Sequence, residues 1–228
     1  MSDLGTRLRA VQARIEGAAR RCGRDPGSVR LVAVSKTKPA LDVRAAYAAG
    51  QRDFGENYVQ ELVAKAEALT DLKDLRFHFI GHLQRNKAKL VARIAGAVHT
   101  VDSVKLAQEL GKRAADFPER KRLMALVEVN VGGERQKSGC TPDQLASVLA
   151  AIDAEPSLEL SGLMTVPPFT NDPAGSRPFF DALATLREAH GGSARLRDLS
   201  MGMTHDLEHA IAAGATIVRV GTAIFGER

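Results

Sequence analysis

The sequence predicts an α/β fold, a single (β/α)8 barrel of the TIM type, and three observations carry the prediction. The chain has 228 residues, a length at which parallel α/β barrels commonly close as one domain. Eight short apolar runs alternate with longer segments of helical period. Chemically distinctive residues stand just after the runs, where such a fold gathers its site. A doubly wound open sheet is the alternative architecture, and it too binds ligands beyond the C-terminal ends of its strands.

The elements follow in order. In "MSDLGTRLRAVQARIEGAARR", Leu4, Leu8, Val11 and Ile15 recur at helical spacing with arginines between them, which predicts an amphipathic first helix. This segment lacks the apolar centre of a signal peptide, and Asp3 and Glu16 argue against a transit peptide. The apolar runs occupy residues 31–35, 52–54, 77–80, 97–101, 125–131, 160–165, 196–201 and 217–220. Helix-period residues such as Val59, Leu62, Val63, Ala66 and Leu69 fill the intervals. Helix starts are legible at Asp102-Ser103 and at Thr141-Pro142-Asp143, where a hydroxyl precedes a proline and an acid. No linker or composition break divides residues 1–228, so one domain is expected.

Hydrophobic residues are 44% and charged residues 26%, the balance of an ordinary globular protein. No apolar run approaches the roughly 20 residues needed to cross a bilayer, so no membrane role is expected. The net charge of +5 would suit nucleic acid, but there is no Trp, only two Tyr are available for base stacking, and no recognition motif occurs. Cys22 and Cys140 form neither a metal spacing nor a disulfide framework, so a reducing cytoplasm is expected. A monomer is expected as well, because no apolar interface stripe is visible.

"IVRVGTAIFG" places one arginine inside an apolar strand. Alternation puts Ile217, Arg219 and Gly221 on one face, and a buried guanidinium needs a partner. Gly221-Thr222 allows close backbone approach to a ligand, and Ser200-Met201-Gly202 offers the same on the preceding strand. Loops after strands seven and eight hold phosphates in many barrels. The alternative is that Arg219 pairs with a core carboxylate and the glycines merely turn the chain.

"LVAVSKTKPA" sends a buried strand directly into Lys36. Lys36 and Lys38 could be solvated loop lysines. A lysine desolvated at a barrel mouth, however, becomes a nucleophilic amine, and an amine beside a phosphate site suits pyridoxal 5'-phosphate (PLP).

The motifs "LVAVSKTKP", "FGENYVQE", "HFIGHLQRNK", "VHTVDS", "GLMTVPP", "LSMGM" and "VRVGTAIFG" occur in that order along nearly the whole chain. With them the sequence resembles the pyridoxal phosphate homeostasis proteins, barrels related to the PLP-binding domain of alanine racemase. The resemblance implies a PLP fold of type III and a Schiff base on Lys36 rather than Lys38. It implies that Ser200, Gly202, Arg219, Gly221 and Thr222 surround the phosphate and ring, with Asn57 and His82 lining the pocket. It also implies a role in PLP homeostasis, by buffering or by transient delivery to PLP-dependent apoenzymes, with little turnover. Phe77, where the family often has tryptophan, and the histidine pair of "HDLEH" depart from the pattern.

Rival chemistries remain open on the residues themselves. His205 and His209 are spaced for one helix face and could be a zinc pair, although Thr204 as N-cap and Asp206 in the first turn read more simply as a charged helix surface. No metal is expected. His78 and His82 bracket a strand and stand too far apart, about 13 Å, for one ion. Glu128, Asn130, Glu134 and Lys137 could be ion pairs or a partner surface. A PLP-dependent racemase-type enzyme and a metal-dependent barrel hydrolase are the competing functions.

Overall fold

The computed structural model describes residues 3–134 and 136–227; Met1, Ser2, Arg135 and Arg228, which include both ends of the expected 1–228 domain, lie outside the described residues. The chain opens with α1 (Asp3–Arg21), whose Leu4, Leu8, Val11 and Ile15 are all buried, as the helical spacing requires. Strand and helix then alternate: β1 (Arg30–Val34), α2 (Ala40–Ala48), β2 (Asp53–Glu56), α3 (Val59–Ala68), β3 (Arg76–Phe79), α4 (Ala88–Ile94), β4 (Ala97–Val101) and α5 (Val104–Ala114). The second half runs β5 (Leu123–Glu128), α6 (Leu145–Asp153), β6 (Leu158–Met164), α7 (Arg177–Ala189), the short α8 (Gly192–Arg195), β7 (Asp198–Ser200), α9 (Leu207–Ala212), β8 (Ile217–Val220) and α10 (Thr222–Phe225).

The eight strands close in sequence order, all pairs parallel, with β8 returning to β1 through the register Val32 to Arg219 and Ala33 to Val220. The barrel settles the choice against an open sheet. Side chains alternate across the strands. Val32, Leu126, Met164 and Ile217 pack inside the barrel, while Ala33, Phe54, Phe79, Val98, Leu163, Val218 and Val220 pack outward against the helices. Truncating one of the inner large residues to Ala costs about 2–5 kcal/mol, because the surrounding ring cannot collapse onto the void.

All eight expected strands form; 97–101 and 217–220 keep their bounds and the other six have shifted ends. The run read as 125–131 is β5 from Leu123 to Glu128; past it, Val129 still donates to the Met164 carbonyl of β6 and forms an isolated bridge to Cys140. The run 196–201 contracts to Asp198–Ser200. Ser103 caps α5 through Leu106 N as expected. The expectation for "MTHDLEH" is corrected. The helix begins only at Leu207 with Asp206, not Thr204, at its N-cap, so His205 lies in the preceding turn and the two histidines do not share a helix face.

Candidate functional site

The C-terminal ends of β1 and β8 border a cavity of about 390 Å3, within the range of small-molecule sites, roughly 300–1,000 Å3. Val34, Lys36, Arg219, Gly221 and Thr222 line one side; the loop after β6, from Val166 to Thr170, and the turn Met203 to Asp206 line the other. Val166, Phe169 and Met203 are exposed apolar side chains on this wall, and Phe169 is 86% exposed. Two glycines are packed closely here, Gly221 in the cavity lining and Gly202 against α9. Gly202 sits at φ +93°, and a Cβ there would meet Ala210 Cβ at 2.5 Å; a Cβ on Gly221 would come within 3.1 Å of the Val34 carbonyl oxygen. At the first, backbone conformation excludes most side chains; at the second, β1 stands too close.

Arg219 points into the barrel with Ile217, as alternation requires. It is 4% exposed and contacts no carboxylate within 4 Å among the described residues. It donates instead to Ser200 Oγ at 2.7 Å and to the Thr165 carbonyl at 2.9 Å. Burial lowers its pKa to about 10, even with Glu128 and Asp206 near enough to pull the other way. At neutral pH it is therefore a buried cation whose charge no contacting carboxylate offsets, at the edge of a cavity.

Below it runs a chain of buried hydrogen bonds. His99 Nδ1 lies 2.8 Å from Ser200 Oγ, His99 Nε2 lies 2.9 Å from His78 Nδ1, and His78 Nε2 lies 2.9 Å from Asp53 Oδ1. Arg76 closes the far end with two bonds to the Asp53 carboxylate, at 2.7 and 2.8 Å. Burial pushes the Asp53 carboxyl upward, but the bonds from His78 and Arg76 outweigh this and hold it well below the usual carboxylate range. An ionised carboxylate only accepts, so His78 donates from Nε2 and, when neutral, accepts at Nδ1. His99 must then donate from Nε2 and accept at Nδ1 from the Ser200 hydroxyl, whose lone pair faces Arg219. Complete burial, followed by the nearby positive groups, drives the His99 pKa well below its ordinary value, which agrees with the neutral ring. Each donor in the chain finds one acceptor, so Arg219 is fixed by groups that begin on the opposite end of the barrel.

A second buried cluster sits under Lys36. Lys65 reaches from α3 to the Ser35 carbonyl at 2.7 Å, to Glu56 Oε1 at 2.7 Å and to Glu61 Oε2 at 3.0 Å. Ser35 Oγ also donates to Glu56 Oε1, at 2.6 Å, and Glu61 Oε2 accepts from Thr37 N at 2.7 Å. The backbone on both sides of Lys36 is thus held by one lysine–glutamate set. Thr37 takes φ +63°, the one non-glycine residue in the left-handed region among the described residues. That conformation is costly and persists because the bond to Glu61 and the surrounding cluster fix it. Burial raises the Glu56 pKa despite the opposing bond from Lys65.

The structure therefore gathers Lys36, Arg219, Gly221 and Thr222 around one cavity. Ser200 and Gly202 lie buried directly beside it, Ser200 holding Arg219. Asn57 and His82 border a separate depression with Tyr58, Val59, Gln60, Gln84 and Lys87. His82 is exposed there, 3.2 Å from Ser138 Oγ and 3.7 Å from an Asp102 oxygen. Among the described residues no group of three or more His, Cys, Asp or Glu side chains could hold a metal ion. Glu208 pairs with Arg14 on α1 at 2.9 Å. Sequence reasoning missed the roles of His99, His78 and Asp53. The signal was available: "AVHTV" places a histidine inside an apolar strand, the same anomaly that singled out Arg219. It also missed Lys65 and Glu61, which lie on a helix and read as solvent-facing charges.

Residues 6–228 match the family described as alanine racemase, N-terminal domain. The pyridoxal phosphate homeostasis protein of Pseudomonas aeruginosa is 48% identical over 230 aligned positions, which cover 100% of this chain and 97% of that protein. The solved structure of PipY from Synechococcus elongatus with PLP bound is 35% identical and superposes with a TM-score of 0.82, covering 98% of this chain and 100% of that one. The alanine racemase of Corynebacterium glutamicum, at 18% identity and a TM-score of 0.64, shares the fold over 97% of this chain and 62% of its own.

Proposed function

The chain belongs to the pyridoxal phosphate homeostasis proteins, built on the alanine racemase N-terminal domain, and from that premise we propose that it binds PLP at the barrel mouth, as a Schiff base on Lys36, and serves intracellular PLP homeostasis. The observation that carries the reading is Arg219: a cation 4% exposed, with no carboxylate in contact among the described residues, beside a cavity that also contains a lysine.

The residues present fit the cofactor. PLP is an anionic, planar aldehyde. Its negative groups suit Arg219 and the backbone and hydroxyl of Gly221-Thr222 in the cavity lining, with Gly202 carried over from the family resemblance. Its aldehyde suits an amine at Lys36, whose flanking backbone Lys65 and Glu61 fix. When bound, PLP supplies an electrophilic carbon and an electron-withdrawing ring. The chain orients it, and the apolar side chains of Val166, Phe169 and Met203 border the cavity on one side.

Turnover is low on this reading. Racemisation needs an acid or base on each face of the reacting carbon. Tyr47 is committed to Asp74 on the outer surface, and Tyr58 borders the separate depression, so neither tyrosine reaches the cavity. If the ring nitrogen faces Arg219, the cation disfavours its protonation and so weakens the electron sink. The protein acts as a cytoplasmic monomer of one domain and passes PLP transiently to apoenzymes. Cys22 is exposed, Cys140 is buried, and both are free thiols, which suits a reducing compartment. No helix among the described residues is long and apolar enough to cross a membrane.

An absorption spectrum before and after borohydride, followed by peptide mapping, tests the reading. A visible band that borohydride removes, with PLP fixed to the Lys36 peptide, is expected. A protein that takes up no PLP would overturn it.

A further inference from the structure

Across the mouth from Lys36 stands Glu128. β1 and β5 are four places apart in the eight-stranded ring and so face each other. Leu126 packs inside the barrel, and Glu128, two residues on at the strand end, shares its face. Glu128 is 8% exposed, and its side chain has no hydrogen bond or ion pair among the described residues; Oε2 is fully enclosed. It lines a cavity of about 200 Å3 together with Asn130, Lys137 and Ser138. That cavity shares Lys137 and Val166 with the one that contains Lys36, so the two adjoin.

The cations nearby are committed. Lys137 pairs with Glu134 at 2.5 Å and donates to the Pro167 carbonyl at 2.9 Å, and Arg219 serves Ser200 and Thr165. Asp102, on the loop after β4, adds a second negative charge close to Glu128. The pocket therefore has an enclosed carboxyl without a hydrogen-bond partner and a second negative charge, Asp102, close to it. A small cation with N–H donors satisfies both, and a carboxylate or phosphate satisfies neither.

We infer that the Glu128 cavity is a subsite for a primary ammonium group, the α-ammonium of an amino acid or the ε-ammonium of a lysine, and that Glu128 removes the proton that such an amine must lose before it can replace Lys36. The inference rests on Lys36 holding PLP. The step balances. One N–H bond of the ammonium breaks, a Glu128 O–H bond forms, and the freed lone pair makes the amine nucleophilic. When Lys36 is displaced as a neutral amine, it takes this proton back, which restores the carboxylate and leaves a lysine ammonium. Burial first, then Asp102, raises the Glu128 carboxyl to about 7, against the pull of Arg219. A group so placed both takes and returns a proton at neutral pH. Asp102, Arg219, Lys36, Cys140, Lys137 and Glu134 are the titratable and charged groups that surround it among the described residues.

Two arms test the inference. In the PLP-free protein, 13C NMR of glutamate carboxyls, with Glu128 assigned by its loss in Glu128→Gln, follows the Glu128 titration in methylammonium chloride against sodium chloride of equal strength. The midpoint should fall by about one pH unit with methylammonium, the scale of a nearby opposite charge; coincident curves would overturn the subsite. In the PLP-loaded protein, release of cofactor to methylamine should be about 10²-fold slower in Glu128→Gln at pH 7 and should lose its inflection near that pH, with partial recovery in Glu128→Asp. An unchanged rate and pH profile would overturn the proton-transfer role. If borohydride fixes no PLP on Lys36, the cofactor reading fails on its own account, and the first arm still decides the subsite.

Discussion

Ser200 Oγ accepts from Arg219 at 2.7 Å while its own proton faces His99 Nδ1 at 2.8 Å, so one hydroxyl joins the cation at the mouth to a chain that ends on Arg76. The chain makes Arg219 rigid, and rigidity is what a buried cation needs if a mobile anion is to meet it without reorganisation. Arg219→Ala should weaken PLP binding by about 1.5–3 kcal/mol, the range for hydrogen bonds to charged groups. Ser200→Ala should weaken it by about 1 kcal/mol, because Arg219 keeps its Thr165 bond but loses the orienting one. Equilibrium titration of the cofactor-free variants with PLP measures both.

Lys36 and Lys38 are separated by Thr37 at φ +63°, which turns the chain between them. Lys38 donates to the Glu227 carbonyl at 2.8 Å, away from the main cavity lining. Lys36→Ala should abolish borohydride-fixed PLP, while Lys38→Ala should retain it. Mass spectrometry of the reduced, digested protein distinguishes the two.

Lys65 and Glu56, at 2.7 Å, form an ion pair with side chains 6% and 0% exposed. Lys65→Met strands the Glu56 charge in the interior and should cost about 3–5 kcal/mol by urea unfolding. Lys65→Met combined with Glu56→Gln should recover a large part of that loss, since the uncompensated charge is gone. The Ser35 carbonyl still loses its donor in the double variant, so PLP uptake should be slower than in the native protein even where stability returns.

Two carboxyls give the stability opposite pH dependences. The folded Asp53 is held below its unfolded value, so its contribution is complete above about pH 4 and is lost as pH falls further. Between pH 5 and 3 the native protein should lose about 1 kcal/mol that Asp53→Asn does not lose. The folded Glu128 is raised from 4.5 to about 7, so stability is fully present below about 4.5 and declines as pH rises to about 7. Glu128→Gln, which imitates the protonated form, should therefore exceed the native protein at pH 8 by a few kcal/mol and match it at pH 4. Urea denaturation across this range checks both limbs.

The sequence by itself determined the barrel, the strand count and the end at which the candidate cavity lies. Those features follow from local patterns: apolar runs of strand length, helical spacing between them, and strand ends that carry Lys36 and Gly221-Thr222. It also marked Arg219, because a charge in an apolar strand is anomalous wherever the chain folds. What only tertiary structure decided is which distant residues meet. His99 and Ser200 are 101 positions apart, and Lys65 reaches Ser35 across 30. No local period records such contacts, since closing the ring, not the neighbouring sequence, brings β4 to β7 and α3 to β1. The same closure put Asn57 and His82 together in one depression and enclosed Glu128 without a hydrogen-bond partner. Propensity and periodicity describe one element at a time, whereas burial, and the pKa changes that it drives, belong to the assembled barrel.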